Sequence, residues 1–431
     1  MALAALLLVA LIQGGCRLFA GYAPPSKDAA QADAGALGQG CYANNTCDAP
    51  LRCVDGRCVI PPTPDLGIDE GVGRDLMADA DVTLPPDAGI HYDGARCDAR
   101  ALVWAPGTLT TLAGGSPSGG QDGPLHEARF RAPLGLTVAA DGALLVADRD
   151  NHRVRRVACG EVTTFAGSGI PGYRNGPVAT ARFSAPVAVA FVSPDEIYVA
   201  DAGNRRLRLI SHGLVTTFAG SGSQGSRDGS LLSASFSELR ALLYDATTAT
   251  LYIADRGGGR IRRIRRDPQK NVKVVETLVK DLALPTGLAW GASPGMLLVS
   301  EAGKHRVVKI DVTDGKVTFV AGDASYAGFA DGLVASARFQ SPAGLVRLPD
   351  GRILVADPFN HALRAIVPEQ PKWPAHVVTL VGDPKTMMSG NVDGSLTRAR
   401  LVAPWGVLAV DGLIILSDVG GYRLRLLALG P

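Results

Sequence analysis

Residues 146–157 read VADRDNHRVRRV and gather Asp148, Asp150, Asn151, His152, Arg153 and Arg155 within eight positions. Such side chains do acid–base work and bind metals and anions, so the stretch has the density of an active site. The rest of the chain argues otherwise, because the stretch has five relatives. They are VADAGNRRLRLI (199–210), IADRGGGRIRRI (253–264), VSEAGKHRVVKI (299–310), VADPFNHALRAI (355–366) and LSDVGGYRLRLL (416–427). Their carboxylates are Asp148, Asp201, Asp255, Glu301, Asp357 and Asp418, spaced by 53, 54, 46, 56 and 61 residues. Five positions on stand Arg153, Arg206, Arg260, Arg306 and Arg423, with Ala362 as the exception. Seven positions on stand Arg155, Arg208, Arg262, Arg364 and Arg425, with Val308 as the exception.

Other features recur in phase. Each unit opens on a Pro-and-small apolar run: APLGLTV, APVAVAF, the divergent ELRALLY, LPTGLAW, SPAGLVR and APWGVLA. A second apolar run ends in the carboxylate, the Arg-bearing run follows, and then a threonine-rich run such as VTTFAG or VVTLVG. Short β-rich runs between turn residues predict four strands per unit. About 50 residues holding four strands is the period of a β-propeller. The sixth unit stops after its third strand, and GTLTTLAG (107–114) supplies the missing fourth at the other end of the chain. The sequence therefore predicts an all-β, six-bladed β-propeller with four strands per blade, whose N-terminal strand closes the last blade. Closure also removes edges that invite aggregation.

These motifs resemble the NHL repeat, named for an Asn-His-Leu triplet after the carboxylate. The triplet reads Asn151-His152-Arg153 in blade one and Asn360-His361-Ala362 in blade five, and departs furthest at Gly258-Gly259-Arg260. The resemblance covers roughly 105–431 and implies a six-bladed ring that serves as a binding platform. A few relatives are enzymes, among them metal-dependent amidating lyases, and similar rings include calcium-dependent lactonases.

Composition fits a large core. Of 431 residues 46% are apolar and 19% charged, with 52 Gly and 28 Pro for many turns. Net charge is +2 but unevenly spread: nine acidic and two basic residues lie in 59–99, against 37 basic and 28 acidic in 100–431. So modest an excess on so large a body does not indicate nucleic acid. ALAALLLVALI (2–12) is too short to span a bilayer and suits an export signal. It ends at QGGC, which resembles a lipoprotein signal lipidated at Cys16, although Gln13 stands where Leu is usual. Plain secretion is the alternative. The expected divisions are a signal (1–16), a tether (17–40), a Cys-rich module (41–58), an acidic Pro/Asp-rich linker (59–100) and the propeller (101–431). With Cys16 lipidated, Cys41, Cys47, Cys53, Cys58, Cys97 and Cys159 remain for three disulfides. Zinc is the alternative for the module, but no CxxC pair is present.

A sixfold motif suits scaffold chemistry better than a reaction centre, so the carboxylates and arginines are expected to hold the blade turns. Asn and Gly should take the positive-φ positions there. His152, His305 and His361 lie on different blades, whereas zinc needs ligands within about 2 Å. The central parts of the first-strand runs, LGLTV, VAVAF, RALLY, TGLAW, AGLVR and WGVLA, should line the axial channel and contain no His, Asp, Asn or Glu. Gly135, Ala188, Ala241, Gly287, Gly344 and Gly406 look small for crowding at the axis. No cofactor is expected, with calcium or zinc left to loop ligands. Turns between second and third strands must share a face with the connections leading to the next blade. Those connections are long in five cases (114–130, 167–183, 220–236, 322–339, 382–401), and blade four lacks one. Loops on a rigid scaffold carry binding residues. The expected function is non-catalytic binding of a protein, peptide or glycan outside the cytoplasm by a monomer, attached to a membrane through its lipid only. The alternative is a hydrolase or lyase with a metal at the channel mouth. A Cys97–Cys159 disulfide would pin the linker across the closure.

Overall fold

The computed structural model describes residues 106–429, apart from 268, 270, 372 and 384–387, together with the backbone of Arg52–Val54 and Arg57–Val59. The two short strands pair antiparallel, with Cys53 opposite Cys58, within a unit (1–89) separate from that of 90–431. The expected signal, tether and linker, and Cys16, Cys41, Cys47 and Cys97, lie outside the described residues.

The larger unit is a ring of six antiparallel sheets whose main strands run from the axis outward in chain order, except that the outer main strand of blade six comes from the start of the ring. Blade one consists of Pro133–Val138, Leu144–Asp148, Arg153–Ala158 and Glu161–Ala166. Neighbouring inner strands touch in sequence, and Pro404–Val410 of blade six returns to Pro133–Val138 of blade one. Thr108–Gly114 forms the outer main strand of blade six and pairs with Arg423–Ala428, Thr108 opposite Ala428. The last blade is thus closed by the first strand, as the repeat count requires.

Local sequence explains each layer. Second strands such as Leu144–Asp148 are buried on both faces and read as continuous apolar runs. Fourth strands such as Glu161–Ala166 lie at the rim, where Glu161 and Thr163 are exposed while Val162 and Ala166 are buried. At the axis the blades approach so closely that a methyl group on Gly135 would lie 2.7 Å from the Ala188 Cα.

One element exceeds four strands per blade. In five blades the preceding connection adds a two-residue strand outside the fourth, for example Gly123–Pro124 beside Glu161–Ala166. Blade four has only four strands, so the outer edge of Val317–Ala321 carries no such segment among the described residues. The connections are also core elements. Phe130, Phe183, Phe236, Phe339 and Leu401 close them and are wholly buried, as are Ala128, Ala181, Ala234, Ala337 and Ala399 two residues earlier. Phe130 packs among Leu112 and Leu424 of blade six and Val157 and Val162 of blade one. The closing ends of the connections are therefore wedges between blades. In blade four the short link substitutes Leu282, whose N–H donates to the Gly259 carbonyl at 3.0 Å.

Candidate functional site

The opening motif is a buried charge network. Asp148 Oδ1 accepts from the backbone N–H of Arg131 (3.0 Å) and Ala132 (3.3 Å), at the entry to the first strand. Its Oδ2 accepts from Asn151 Nδ2 (2.7 Å) and Arg155 Nη1 (2.9 Å). Arg155 also donates to the Arg129 and Gln121 carbonyls and to Asp122 in the connection. Asp122 in turn accepts from Thr164 N and Oγ1 on the fourth strand. The arginine Nε has no hydrogen-bond partner among the described residues, but the guanidinium lies 5.2 Å from the centre of the Phe130 ring, a cation–π contact. One side chain thus ties the turn, the connection and two strands together.

The unit recurs. Asp201–Arg208, Asp255–Arg262, Asp357–Arg364 and Asp418–Arg425 meet at 2.8–3.3 Å, every side chain fully buried. Asn175, Asp228, Asp331 and Asp393 take the place of Asp122. Burial pushes Asp201, Asp255, Asp357 and Asp418 above the ordinary carboxylate range, against the pull of their arginines and N–H donors. Buried pairs of this kind contribute little net stability but are costly to break, so they fix geometry.

The two arginines of the motif divide this work. The partner of the carboxylate is the one seven positions on. Arg153 instead donates to the Gly120 carbonyl, Arg260 to that of Ser226, and Arg206 to that of Ser221 while stacking on Tyr173; Arg423 opens the third strand of blade six half-buried. Blade four reverses the rule: Val308 fills the inner site and Arg306 Nε pairs with Glu301 at 2.6 Å. There the longer carboxylate, the missing arginine and the missing connection form one change.

Two expectations about the turn need correcting. The carboxylate caps N–H groups at the first-strand entry, across the blade, rather than N–H groups within its own turn. The positive-φ residue is also not the Asn; it is His152 (φ 54°), Arg205, Gly259, His305, His361 or Tyr422. His152 Nδ1 accepts from Ala185 N and His305 Nδ1 from Ser341 N, both at 3.1 Å, and His361 Nδ1 bonds the Val402 carbonyl. Each histidine is thus spent on a different blade boundary. Among the described residues no three His, Cys, Asp or Glu side chains converge as a metal site.

Asn151, Asn204 and Asn360 donate to carbonyls of the connections at Gly119, Gly172 and Gly328. Turns and connections therefore do share a face. At its centre lies a cavity of about 90 Å³ walled by Gly135, Ala188, Ala241, Gly287, Gly344 and Gly406, the six small residues expected at the axis. Two long side chains, neither of them a metal ligand, enter it. Arg240 comes from blade three and Trp405 from the opposite blade six, and they meet with the guanidinium 5.5 Å from the indole centre. Arg240 is 82% shielded and bonds Glu238 through Nε and Nη2. Arg256 bonds the same carboxylate at 2.9 Å. Burial lowers the basicity of Arg240, and Arg256 and Arg149 lower it further, while Glu238 opposes them. Arg149 pairs with Asp150 at 2.6 Å nearby. The signal was available: the residue before the axial Gly or Ala is Leu134, Val187, Thr286 or Ala343 elsewhere, but Arg240 and Trp405 in these two blades.

A model of the NHL repeat matches residues 130–157. Over 286 residues the chain is 29% identical to the protein SUPPRESSOR OF QUENCHING 1, chloroplastic, of Arabidopsis thaliana, covering 60% of this chain and 27% of that one. The chain thus spans about a quarter of that relative's length. An auxiliary nutrient binding protein from Bacteroides thetaiotaomicron superposes with a TM-score of 0.57 at 16% identity, over 74% of this chain and 75% of that one. A protein of unknown function from the same organism gives 0.56 at 21% identity, over 74% and 75%. At such identities the likeness is one of fold. With a ring of six sheets closed by its N-terminal strand, the chain is a six-bladed β-propeller whose first complete blade matches the NHL repeat and whose other five carry the same motif.

Proposed function

We propose that the protein is an exported, non-catalytic binding protein that presents the connection-bearing face of its propeller to a protein, peptide or glycan. The observation that carries this reading is the Arg240–Trp405 contact across the axis. It floors the channel mouth with a half-buried cation and an aromatic surface, the combination that dominates binding hot spots. The buried networks hold the surrounding turns in place, so little ordering entropy is lost on binding. Residues 2–12 and lipidated Cys16 would direct export and anchor the chain, leaving the propeller free as a monomer. A disulfide from Cys159, at the turn between third and fourth strands of blade one, to Cys97 would pin the linker to that blade.

Binding to glycan and peptide arrays tests the reading. Wild type should retain ligands that Trp405→Ala loses at least tenfold, with unchanged thermal unfolding. Retention by the variant would move the site elsewhere. Near-stoichiometric calcium or zinc in the purified protein would favour a hydrolase or lyase instead.

A further inference from the structure

Resting on that reading, we propose that the channel mouth is a carboxylate-selective sugar site, recognising a uronic-acid residue by its charge at Arg240 and its ring at Trp405. The mouth carries more cation than its own structure uses. Arg240 and Arg256 share the single carboxylate of Glu238. Arg149, which also acts on Arg240, is matched by Asp150. Three guanidinium groups are therefore set against two carboxylates.

The excess is partly buried, which distinguishes it from a solvated charged rim. Arg240 is held out of water beside other cations, a costly arrangement unless an anion completes it. Its Nε and Nη2 are engaged by Glu238, while Nη1 has no partner among the described residues. A guanidinium presents donors in a fixed plane that suits carboxylate oxygens. The adjacent indole is partly exposed, and its uncovered edge and face would meet the C–H face of a pyranose ring. An acidic peptide would use the cations and leave the indole idle, so the pair together favours the acidic sugar.

The test is calorimetric titration of the intact protein with trigalacturonate, its methyl ester and triglutamate at low and physiological salt. We expect trigalacturonate to bind, with the ester and triglutamate at least tenfold weaker and the affinity falling with salt. Arg240→Gln should lose at least tenfold, and Arg240→Lys, which keeps charge and fold but not the planar donor pair, should lose less. Equal affinity for acid and ester, tighter binding of triglutamate, or an unaffected Arg240→Lys and Arg240→Gln pair would overturn the inference. Neutral glycan binding that still depends on Trp405 would overturn it while leaving the binding reading intact. Failure of every array ligand would remove both.

Discussion

Arg206 and Arg208 are two residues apart on one strand and share a face, yet they do different work. In strand register it is Arg206 that stands opposite Asp201, but the ion pair is diagonal, to Arg208. The connection decides this, because only Arg208 also reaches its acceptors, the Arg174 carbonyl and Asn175. Replacing Arg208 by Met strands Asp201 in the interior and should cost about 3–5 kcal/mol, read by urea unfolding. Arg206→Met, at a half-buried site, should cost about 1 kcal/mol, and equal losses would refute the division of roles. The carboxylate and both arginines were legible as a repeat. Which arginine pairs was not, since strand alternation gives both the same face and the arbiter lies some 30 residues upstream. His152 carries a pH dependence that can be signed. Its Nδ1 must be unprotonated to accept from Ala185 N, and burial, helped by Arg131, pushes its pKa below the ordinary histidine value against the pull of Asp150 and Asp148. With the folded pKa lowered, the contribution is present above the unfolded value and is lost as pH falls through the folded one. Thermal midpoints between pH 7 and 5 should therefore fall more for wild type than for His152→Asn. The ring is only partly buried, so the difference should be no more than about 2 °C.

At the scale of elements, the connections are the part of the blade most easily misjudged. Each holds an Asp-Gly or Asn-Gly pair, the chemistry of a surface turn. The endings LHEARF, VATARF, LLSASF, LVASARF and LTRARL carry the other half of the message, an apolar–Ala–aromatic or –Leu pattern in every copy. Taken with the buried arginines, that pattern marks a wedge between blades rather than a free loop. Phe183→Ala should accordingly cost about 3–5 kcal/mol, as for a core aromatic. Ile170→Ala, at a position of the same connection that is 51% exposed, should stay within about 0.5 kcal/mol. Chemical denaturation of the two variants separates wedge from tip, and similar small effects at both positions would show the connection to be dispensable to the core. Blade four shows the dependence from the other side. Without a connection there is no Asp or Asn for a buried arginine to reach, and the arginine is Val308. Phe319 likewise pairs with Val308 where Thr217 pairs with Arg208. These exceptions stood out in the sequence as separate oddities, but only the hydrogen-bond geometry shows that they are one substitution.

The molecule as a whole is defined by closure, and closure accounts for what could and could not be read in advance. Blade number and the joining of the ends follow from counting strands, since a sixth unit lacking its fourth strand and a lone matching strand upstream have one economical solution. The mouth does not follow from counting. Arg240 and Trp405 lie on opposite blades of the ring, and no periodicity brings them together; only the circle does. The same circle makes Thr108–Gly114 more than a terminal strand. It contributes Leu109, Leu112 and Ala113 to the interior, all nearly or wholly buried. Thr111 N and Oγ1 donate to Asp393, the side chain that Arg425 also reaches. A chain starting at residue 115 would leave blade six with three strands, an open hydrogen-bonding edge and Asp393 without its threonine. Two buried leucines alone correspond to about 5 kcal/mol, of the order of a domain's whole stability. Scanning calorimetry of that shortened chain should therefore show either a much lower midpoint or no cooperative transition, and gel filtration should show aggregation through the exposed edge. Adding back a peptide spanning 106–115 should recover part of the transition, because the strand supplies contacts rather than a covalent constraint. An unchanged midpoint in the shortened chain would mean that the ring is stable without its closing strand.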